Sequence, residues 1–318
     1  MNTTTELPPL GTGFKVAQNL EDVFKWSGAS RAGYSAVSEW LTCPERSRLH
    51  ALGVQRKGRS SSYEEKLNAL DLGTLIHYLR ALRILHGEQS VYDSLNRWQN
   101  DLSPDDHDKA FYLMKTYDQL FPLGVPRLTP NGVIFDGGDP FEYLGVEVEV
   151  RTELKTRDGG SCIRSVRYDT VIRPLDGTGV YSFEAKTTGK SGEASMQPYI
   201  PQGICQNTIW NANPALVAKY GEMRGTIYDA YIKTQTPNAD RYGPHFYSKR
   251  QQVMALEYLR LPEDGTVYRK NADGSYPKML HACWGRWAPC QYIDLCHEGS
   301  HGEFEFKDGT PLDEGFVR

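Results

Sequence analysis

Three stretches rich in β-branched and aromatic residues follow one another between residues 146 and 187, and helical patterns lie on both sides of them. In the first stretch, valines alternate with charged residues, which is typical of a half-buried strand. The other two, 163–173 and 179–187, are joined by a turn that contains Asp176-Gly177. With a later strand at 225–234, this order predicts an α/β fold with a mixed central sheet flanked by helices.

The helical patterns differ in strength. The strongest covers residues 63–87, where leucines recur near helical spacing. Ser103 followed by Pro104 is typical of a helix cap and first turn, and we expect that helix to continue to residue 120. Further helices are predicted at 34–52 with a break at Pro44, at 197–212 and at 250–260.

The length of 318 residues suits one large domain or two small ones, and we expect a single domain. An irregular N-terminal arm precedes it and a short tail follows it. The expected boundaries are 1–33 for the arm, 34–298 for the domain and 299–318 for the tail, with the domain divided into a helical part (34–140), a catalytic core (141–262) and a cysteine segment (263–298).

The composition and the N-terminal sequence indicate the cellular compartment expected for the protein. No run of about 18 uncharged apolar residues is present, so we expect no membrane partner. The N-terminus lacks the basic and apolar pattern of a signal peptide, which predicts a cytoplasmic protein. In a reducing compartment, six cysteines favour metal ligands or incidental thiols over disulfides. The net charge of −4 argues against a protein that coats nucleic acid with a basic surface.

Asp169 lies in one predicted strand, and Glu184 and Lys186 lie in the next. Residues two apart on a strand share a face, and a hairpin can bring Asp169 beside them. Two carboxylates suit a hard divalent cation such as Mg²⁺ or Mn²⁺, and an ammonium could orient water or stabilise developing charge. The alternative is an ordinary solvent face of a sheet, because Glu-x-Lys on a strand is common.

This arrangement resembles the core of the PD-(D/E)XK nucleases, in which an aspartate precedes a hairpin and a Glu-x-Lys strand. The resemblance implies that Asp169 and Glu184 bind metal, together with the backbone carbonyl of Ala185. It also implies that Lys186 serves the attacking water. The expected chemistry is metal-dependent hydrolysis of phosphodiester bonds in DNA.

Two further segments are similar to the RecB-like branch of that superfamily. Gly73 and His77 match its Gly-x-x-x-His helix, which implies that His77 helps to bind metal. Gln206 followed by Trp210 resembles its Gln-x-x-x-Tyr helix, with tryptophan in place of tyrosine. Gln202 lies one turn earlier on the same face, so both glutamines are candidates. A core histidine and a solvated glutamine pair remain the alternatives.

Four cysteines form a split pattern, with one far upstream and three close together near the C-terminus. Thiolates in this number suit either zinc or an iron–sulfur cluster. Close Cys-x-x-Cys pairs, which are usual for structural zinc, are missing from the sequence. The pattern resembles the iron–sulfur clasp of RecB-like nucleases, including the AddB nuclease domain, the CRISPR adaptation nucleases and phage exonucleases. That resemblance implies a 4Fe–4S cluster held by Cys43, Cys283, Cys290 and Cys296. Four singly buried cysteines are the alternative, which is how we interpret Cys162 and Cys205.

Taken together, the resemblance predicts a DNA exonuclease acting on single strands or duplex ends, with a role in phage or mobile-element recombination. It would work with a recombinase or helicase partner, in the cytoplasm of a bacterial host if the gene is phage-borne. Two other hypotheses stay open. One is a DNA-binding recombination partner that keeps the fold but cuts little, and the other is a redox or iron sensor that uses the cluster.

Overall fold

The computed structural model describes most of the chain, including all of the central sheet. The described residues are 16–20, 22–23, 34–56, 69–177, 179–189, 201–234, 236, 238–262, 292, 295 and 304–306. Cys283, Cys290 and Cys296 lie outside this set, so the predicted cysteine clasp is not described except at Cys43 and at the neighbouring positions 292 and 295.

Two sheets are present in the described part of the chain. The strands are β1 (Val54–Arg56), β2 (Val125–Leu128), β3 (Val133–Asp136), β4 (Phe141–Lys155), β5 (Ser161–Pro174), β6 (Val180–Thr188), β7 (Met223–Ile232), β8 (Asn238–Phe246) and β9 (Phe304–Phe306). The large sheet has the order β2-β3-β4-β5-β6-β7-β8, and β1 pairs with β9 in a small one. Among the strand pairs in the described ranges, β6–β7 alone is parallel, so the large sheet is mixed, as predicted.

Helices cover both faces of the large sheet. They are α1 (Tyr34–Thr42), α2 (Pro44–Ala51), α3 (Ala69–His86), α4 (Glu88–Arg97), α5 (Pro104–Leu120), α6 (Pro201–Asn211), α7 (Pro214–Tyr220) and α8 (Lys249–Arg260). On one face α3 packs against β4, β5 and β6, and α5 packs against β7 and β8. On the other face α6 packs against the same central strands, and α1 and α8 pack against α6. The prediction of an α/β fold with a helix-flanked sheet is confirmed.

Several predicted elements agree closely with the structure. The helix expected from residue 104 is α5, and the Ser103 side chain accepts a hydrogen bond from the Asp106 N–H at 3.2 Å, as a cap does. The break at Pro44 separates α1 from α2. Residues 125–136, which the sequence placed in the helical part, instead form β2 and β3 at one edge of the sheet.

The alternation expected around Val146 is broken in the structure. Val146 belongs to the same buried cluster as Ala81 of α3, whereas Val148 packs with Ile209 of α6 on the other face. The backbone of Glu147, between them, has φ of 53°, which is outside the extended region. The predicted half-buried strand is present and its valines are buried, but Val146 and Val148 do not share one face, and the regular pattern resumes further along β4.

Among the residues that the structure describes, no helix combines the length and the apolar character needed to cross a membrane.

Candidate functional site

Asp169 joins three elements at the centre of the sheet. The pairing of β5 with β6 includes Val171 with Ser182. Further along these strands, the Asp169 carboxylate accepts a hydrogen bond from the Ala185 N–H at 2.7 Å. The same oxygen, Oδ2, lies 3.2 Å from His77 Nδ1 on α3. Asp169 therefore takes the place of a backbone acceptor beside β6 and at the same time faces α3.

His77 reaches Asp169 because α3 lies close to β6. Gly73 is one turn before His77, and a β-carbon built there would lie 3.1 Å from Thr187 Oγ1, which is tighter than ordinary contact. The His77 side chain remains 25% exposed and borders a carboxylate. This is unlike a fully buried core histidine.

Glu184 and Lys186 point together toward α6. Gln206 Nε2 donates a hydrogen bond to Glu184 Oε1 at 2.9 Å, and Lys186 Nζ donates one to Gln202 Oε1 at 3.2 Å. Lys186 Nζ lies 4.0 Å from Glu184 Oε2. Glu184 is only 1% exposed, so the alternative of a solvent-facing sheet surface is wrong here. Both glutamines, rather than one of them, contact the predicted site residues.

Close packing of α6 on the sheet sets this arrangement. A β-carbon at Gly203 would clash with the hydroxyl groups of Tyr228 and Tyr247, so the helix can approach β7 only because glycine stands there. Trp210, two turns later, is fully buried, and its Nε1 donates to the Gly221 carbonyl at 3.0 Å. Trp210 thus anchors α6 in the core and does not reach the site.

The pKa values of the two predicted metal-binding carboxylates, Asp169 and Glu184, are shifted in opposite directions. Burial alone would raise the pKa of Asp169, but His77, Lys186 and Arg80 together hold that pKa below its ordinary value. Burial and the negative charge of Asp169 raise the pKa of Glu184 to about 8, against the opposing effects of Lys186 and Gln206. Asp169 is therefore ionised at neutral pH, while Glu184 holds a proton until a cation or a higher pH removes it.

The Ala185 carbonyl is oriented toward the same region. In an extended strand, the N–H and C=O of one residue point toward the same neighbouring strand. Because the Ala185 N–H points to Asp169, its carbonyl also faces β5, on the side where the carboxylate lies. The backbone of Ala185 can thus offer an oxygen donor next to Asp169.

Glu147 is a site residue that the sequence patterns did not identify. It lies on β4 between Val146 and Val148, which pair with Thr170 and Tyr168 on either side of Asp169. One ligand atom from each of His77, Glu147 and Asp169 lies within 4.8 Å of the other two. Within the described residues, Glu184 is not a member of this group. No sequence signal distinguishes Glu147 from Glu149, because both fall on the charged positions of the alternating pattern.

A buried arginine lies behind the site. Arg80 follows His77 by three residues on α3, so both side chains lie on one side of the helix. Its guanidinium donates to Thr170 Oγ1 at 2.8 Å and lies 3.4 Å from the Asp229 carboxylate. Asp229 also accepts hydrogen bonds from Tyr117 and Arg241. This network links α3, α5, β7 and β8 beneath β5.

Of the four cysteines in the predicted clasp, Cys43 is described, and it is buried between α1 and α2. Tyr292, two residues after Cys290, donates a hydrogen bond to the Val54 carbonyl at 2.9 Å. Leu295, which precedes Cys296, is buried. Cys162 and Cys205 lie in the hydrophobic core, and burial raises the pKa of Cys205 to about 12.

Comparisons with known proteins leave the chemistry open. The sequence matches no family model and no curated protein. Ten chains of solved structures match this chain in the structural comparison. One of them is described as "Crystal structure of SSO0001"; the match covers 70% of this chain and 83% of that chain, with 14% sequence identity and a TM-score of 0.27. A TM-score this low establishes no common fold and carries no argument about function.

Proposed function

We propose that this protein is a divalent-metal-dependent nuclease that hydrolyses phosphodiester bonds in DNA. The observation that carries the proposal is the position of Asp169. The Asp169 carboxylate, on β5, lies between the His77 imidazole and the backbone of Ala185. Ala185 belongs to β6, the strand that also carries Glu184 and Lys186. An ionised carboxylate, an imidazole and a lysine converge here within a half-buried region, which is typical of a hydrolytic site.

The donor groups fit a divalent cation. His77 and Asp169 offer a nitrogen and an oxygen, and the Ala185 carbonyl and Glu184 are the further donors expected from the motif. Carboxylate and carbonyl oxygens suit Mg²⁺ and Mn²⁺, and an imidazole is compatible with Mn²⁺. When bound, such an ion supplies Lewis-acid activation of water and of a phosphate oxygen.

The remaining residues of the site position one another. Gln202 holds the Lys186 ammonium, which is 21% exposed and so can meet a phosphate or a water. Lys186 can orient the attacking water or stabilise the negative charge that develops on the phosphate. Gln206 fixes Glu184, so the carboxylate and the ammonium keep a defined separation.

DNA as the substrate, and exonuclease action on single strands or duplex ends, rest on the resemblance of the motif order to RecB-like nucleases. An enzyme of this kind would suit phage or mobile-element recombination beside a recombinase or helicase. The alternative of a DNA-binding protein with little cleavage requires a degraded site. The hydrogen bond from Ala185 to Asp169 and the proximity of Lys186 to Glu184 favour the enzyme instead.

We also propose that Cys43, Cys283, Cys290 and Cys296 hold a 4Fe–4S cluster. Two observations support this. Tyr292, which lies between Cys290 and Cys296 in the sequence, donates a hydrogen bond to the Val54 carbonyl, and β9 pairs with β1, so both contact the chain just after α2. Cys43 lies at the start of α2, which places the upstream cysteine one short helix away from that contact. A cluster there would stabilise the native state, because its ligand set exists only in the folded chain.

The test uses protein purified without oxygen, with the cluster retained. End-labelled single- and double-stranded DNA is incubated with Mg²⁺ or Mn²⁺, and products are resolved by length. Asp169→Asn and Lys186→Ala should abolish cleavage, because each removes a group that acts on the reacting phosphate or water. Asp136→Asn and Lys155→Ala, which change exposed charges on β3 and β4, should cut like the wild type. Wild-type cleavage by either site variant would refute the proposed site.

A further inference from the structure

We infer that Glu147 is a protein ligand of the divalent cation and completes a three-residue cation site with His77 and Asp169. The inference rests on the proposed metal-dependent function and adds to it a ligand that no motif in the sequence marks. It also distinguishes two environments: Glu147 lies close to His77 and Asp169, whereas Glu184 contacts Gln206 and Lys186.

The first argument is distance. One donor atom of each of the three residues lies within 4.8 Å of the others. Two ligands of one Mg²⁺ or Mn²⁺ are about 3–4 Å apart, since each is about 2.1 Å from the ion. His77 Nδ1 and Asp169 Oδ2, at 3.2 Å, already have the separation of adjacent ligands. The Glu147 oxygen, within 4.8 Å of both atoms, lies close to that range.

The second argument is the local backbone. A regular strand would put Val146 and Val148 on one face, with Glu147 on the other. Instead the positive φ of Glu147 breaks the alternation, so the two valines pack on opposite faces of the sheet. A glutamate adopts this conformation rarely, and irregular strand positions next to a site commonly redirect a side chain. Here the redirected carboxylate lies beside Asp169 and near His77 of α3.

The third argument is charge. A carboxylate oxygen of Glu147 and one of Asp169 lie within 4.8 Å of each other. Two carboxylates on adjacent strands that face each other repel, and a divalent cation between them converts that repulsion into attraction for both.

The donor set also indicates the class of ion. One imidazole nitrogen and two carboxylate oxygens suit a first-row transition ion better than Mg²⁺ or Ca²⁺, which prefer oxygen alone. Mn²⁺ accepts both donor types, so we expect the site to bind Mn²⁺ more tightly than Mg²⁺. Mn²⁺ is therefore the probe of choice, and its paramagnetism allows free ion to be counted directly.

The experiment titrates the oxygen-free, full-length protein with Mn²⁺ in the absence of DNA and measures free Mn²⁺ by electron paramagnetic resonance. Glu147→Gln should weaken Mn²⁺ binding by at least about tenfold, as expected for removal of a group in the coordination environment. Glu149→Gln is the matched control on the same strand, and its affinity should stay at the wild-type value. Wild-type affinity in Glu147→Gln would overturn the inference.

A second variant separates coordination from simple attraction. Glu147→Asp keeps the charge but shortens the side chain, so it should also weaken Mn²⁺ binding if Glu147 is a ligand. Wild-type affinity in this variant would overturn direct coordination. Asp169→Asn distinguishes the inference from the proposed function. If Asp169→Asn loses Mn²⁺ while Glu147→Gln keeps it, only the role of Glu147 fails. If the wild type binds no Mn²⁺, the metal-dependent function fails as well.

Discussion

Gln206 Nε2 donates to Glu184 Oε1 at 2.9 Å, inside the contact between α6 and β6. One turn earlier, Gln202 accepts a hydrogen bond from Lys186 at 3.2 Å. The two amides thus hold the carboxylate and the ammonium of one strand from one side of one helix. Their environments differ, because Gln206 and Glu184 are buried while Gln202 and Lys186 are partly exposed to water.

Gln206→Leu should therefore reduce the cleavage rate more than Gln202→Leu. A hydrogen bond to a charged group contributes about 1.5–3 kcal/mol, which corresponds to a rate loss of about 10–100-fold if the positioning is lost. Water can replace the Gln202 amide at the exposed Lys186 ammonium, so Gln202→Leu should reduce the cleavage rate less. The measurement is single-turnover cleavage of end-labelled DNA, with thermal melting as a check of folding. Equal rate losses in the two variants would contradict this order.

The raised pKa of Glu184 predicts a pH dependence of stability in EDTA. Its folded value of about 8 lies above the ordinary value of 4.5, so between these pH values the native state holds a proton that the unfolded chain releases. The free energy of unfolding should then fall as pH rises, by at most about 1.4 kcal/mol per pH unit.

Glu184→Gln should remove this part of the slope and be more stable than the wild type above pH 8. A residual slope of the same sign is expected from Glu147, whose pKa burial also raises. Urea unfolding at a series of pH values from 5 to 9 measures the effect, with Glu149→Gln as a control that keeps the wild-type slope. If the pH dependence of the free energy of unfolding is the same in Glu184→Gln as in the wild type, Glu184 is ionised in the native state over this whole pH range.

Arg80→Met should destabilise the protein strongly. The guanidinium is buried beside Asp229 and Thr170, and removing one member of a buried ion pair typically costs about 3–5 kcal/mol. Arg127→Met removes an exposed partner of Asp136 and should change stability little. Urea unfolding of both variants checks this contrast. Similar unfolding midpoints for the two variants would mean that Arg241 and Tyr117 provide enough hydrogen bonds to stabilise the Asp229 carboxylate without Arg80.

Cys43→Ser should bleach the protein and lower its melting temperature, whereas Cys162→Ser and Cys205→Ser should keep the colour. Thiolate ligation requires an ionised sulfur, and burial raises the pKa of Cys205, which disfavours its use as a ligand. Iron content should be about four per chain in the wild type. Visible absorbance and iron analysis of oxygen-free preparations provide the measurement. A colourless protein with one bound zinc would refute the cluster and leave the nuclease proposal intact.

The elements that could be predicted from the sequence are those that local signals specify. The α5 helix has a serine cap, a proline in its first turn and an apolar stripe, and all three depend on neighbours within a few residues. By contrast, β2 is exposed along its whole length and shows no alternation. The strand β8 contains Gly243 and Pro244, residues that are depleted in strands, so its sequence indicates a turn. Only pairing with β7 makes it a strand.

The residues of the candidate site also differ in how far the sequence could predict them. Asp169, Glu184 and Lys186 could be recognised because one hairpin connects them and fixes their spacing. Glu147 could not, because its side chain direction depends on an irregular backbone that forms only when β4 packs between two helical layers. Both glutamines contact site residues because Gly203 lets α6 approach β7 closely. The spacing of residues in the sequence does not reveal that close approach.

The pairing of β1 with β9 has a consequence for biosynthesis. Arg56 pairs with Phe304, and 304 − 56 = 248 positions separate them. At about 5–20 residues per second, a ribosome needs roughly 12–50 s to make that stretch. During this interval the first strand exists without its partner, while the large sheet can already assemble from residues 125–246. An unpaired edge that waits this long is exposed to pairing with other nascent chains, so slow translation or crowded polysomes should favour aggregation through this segment.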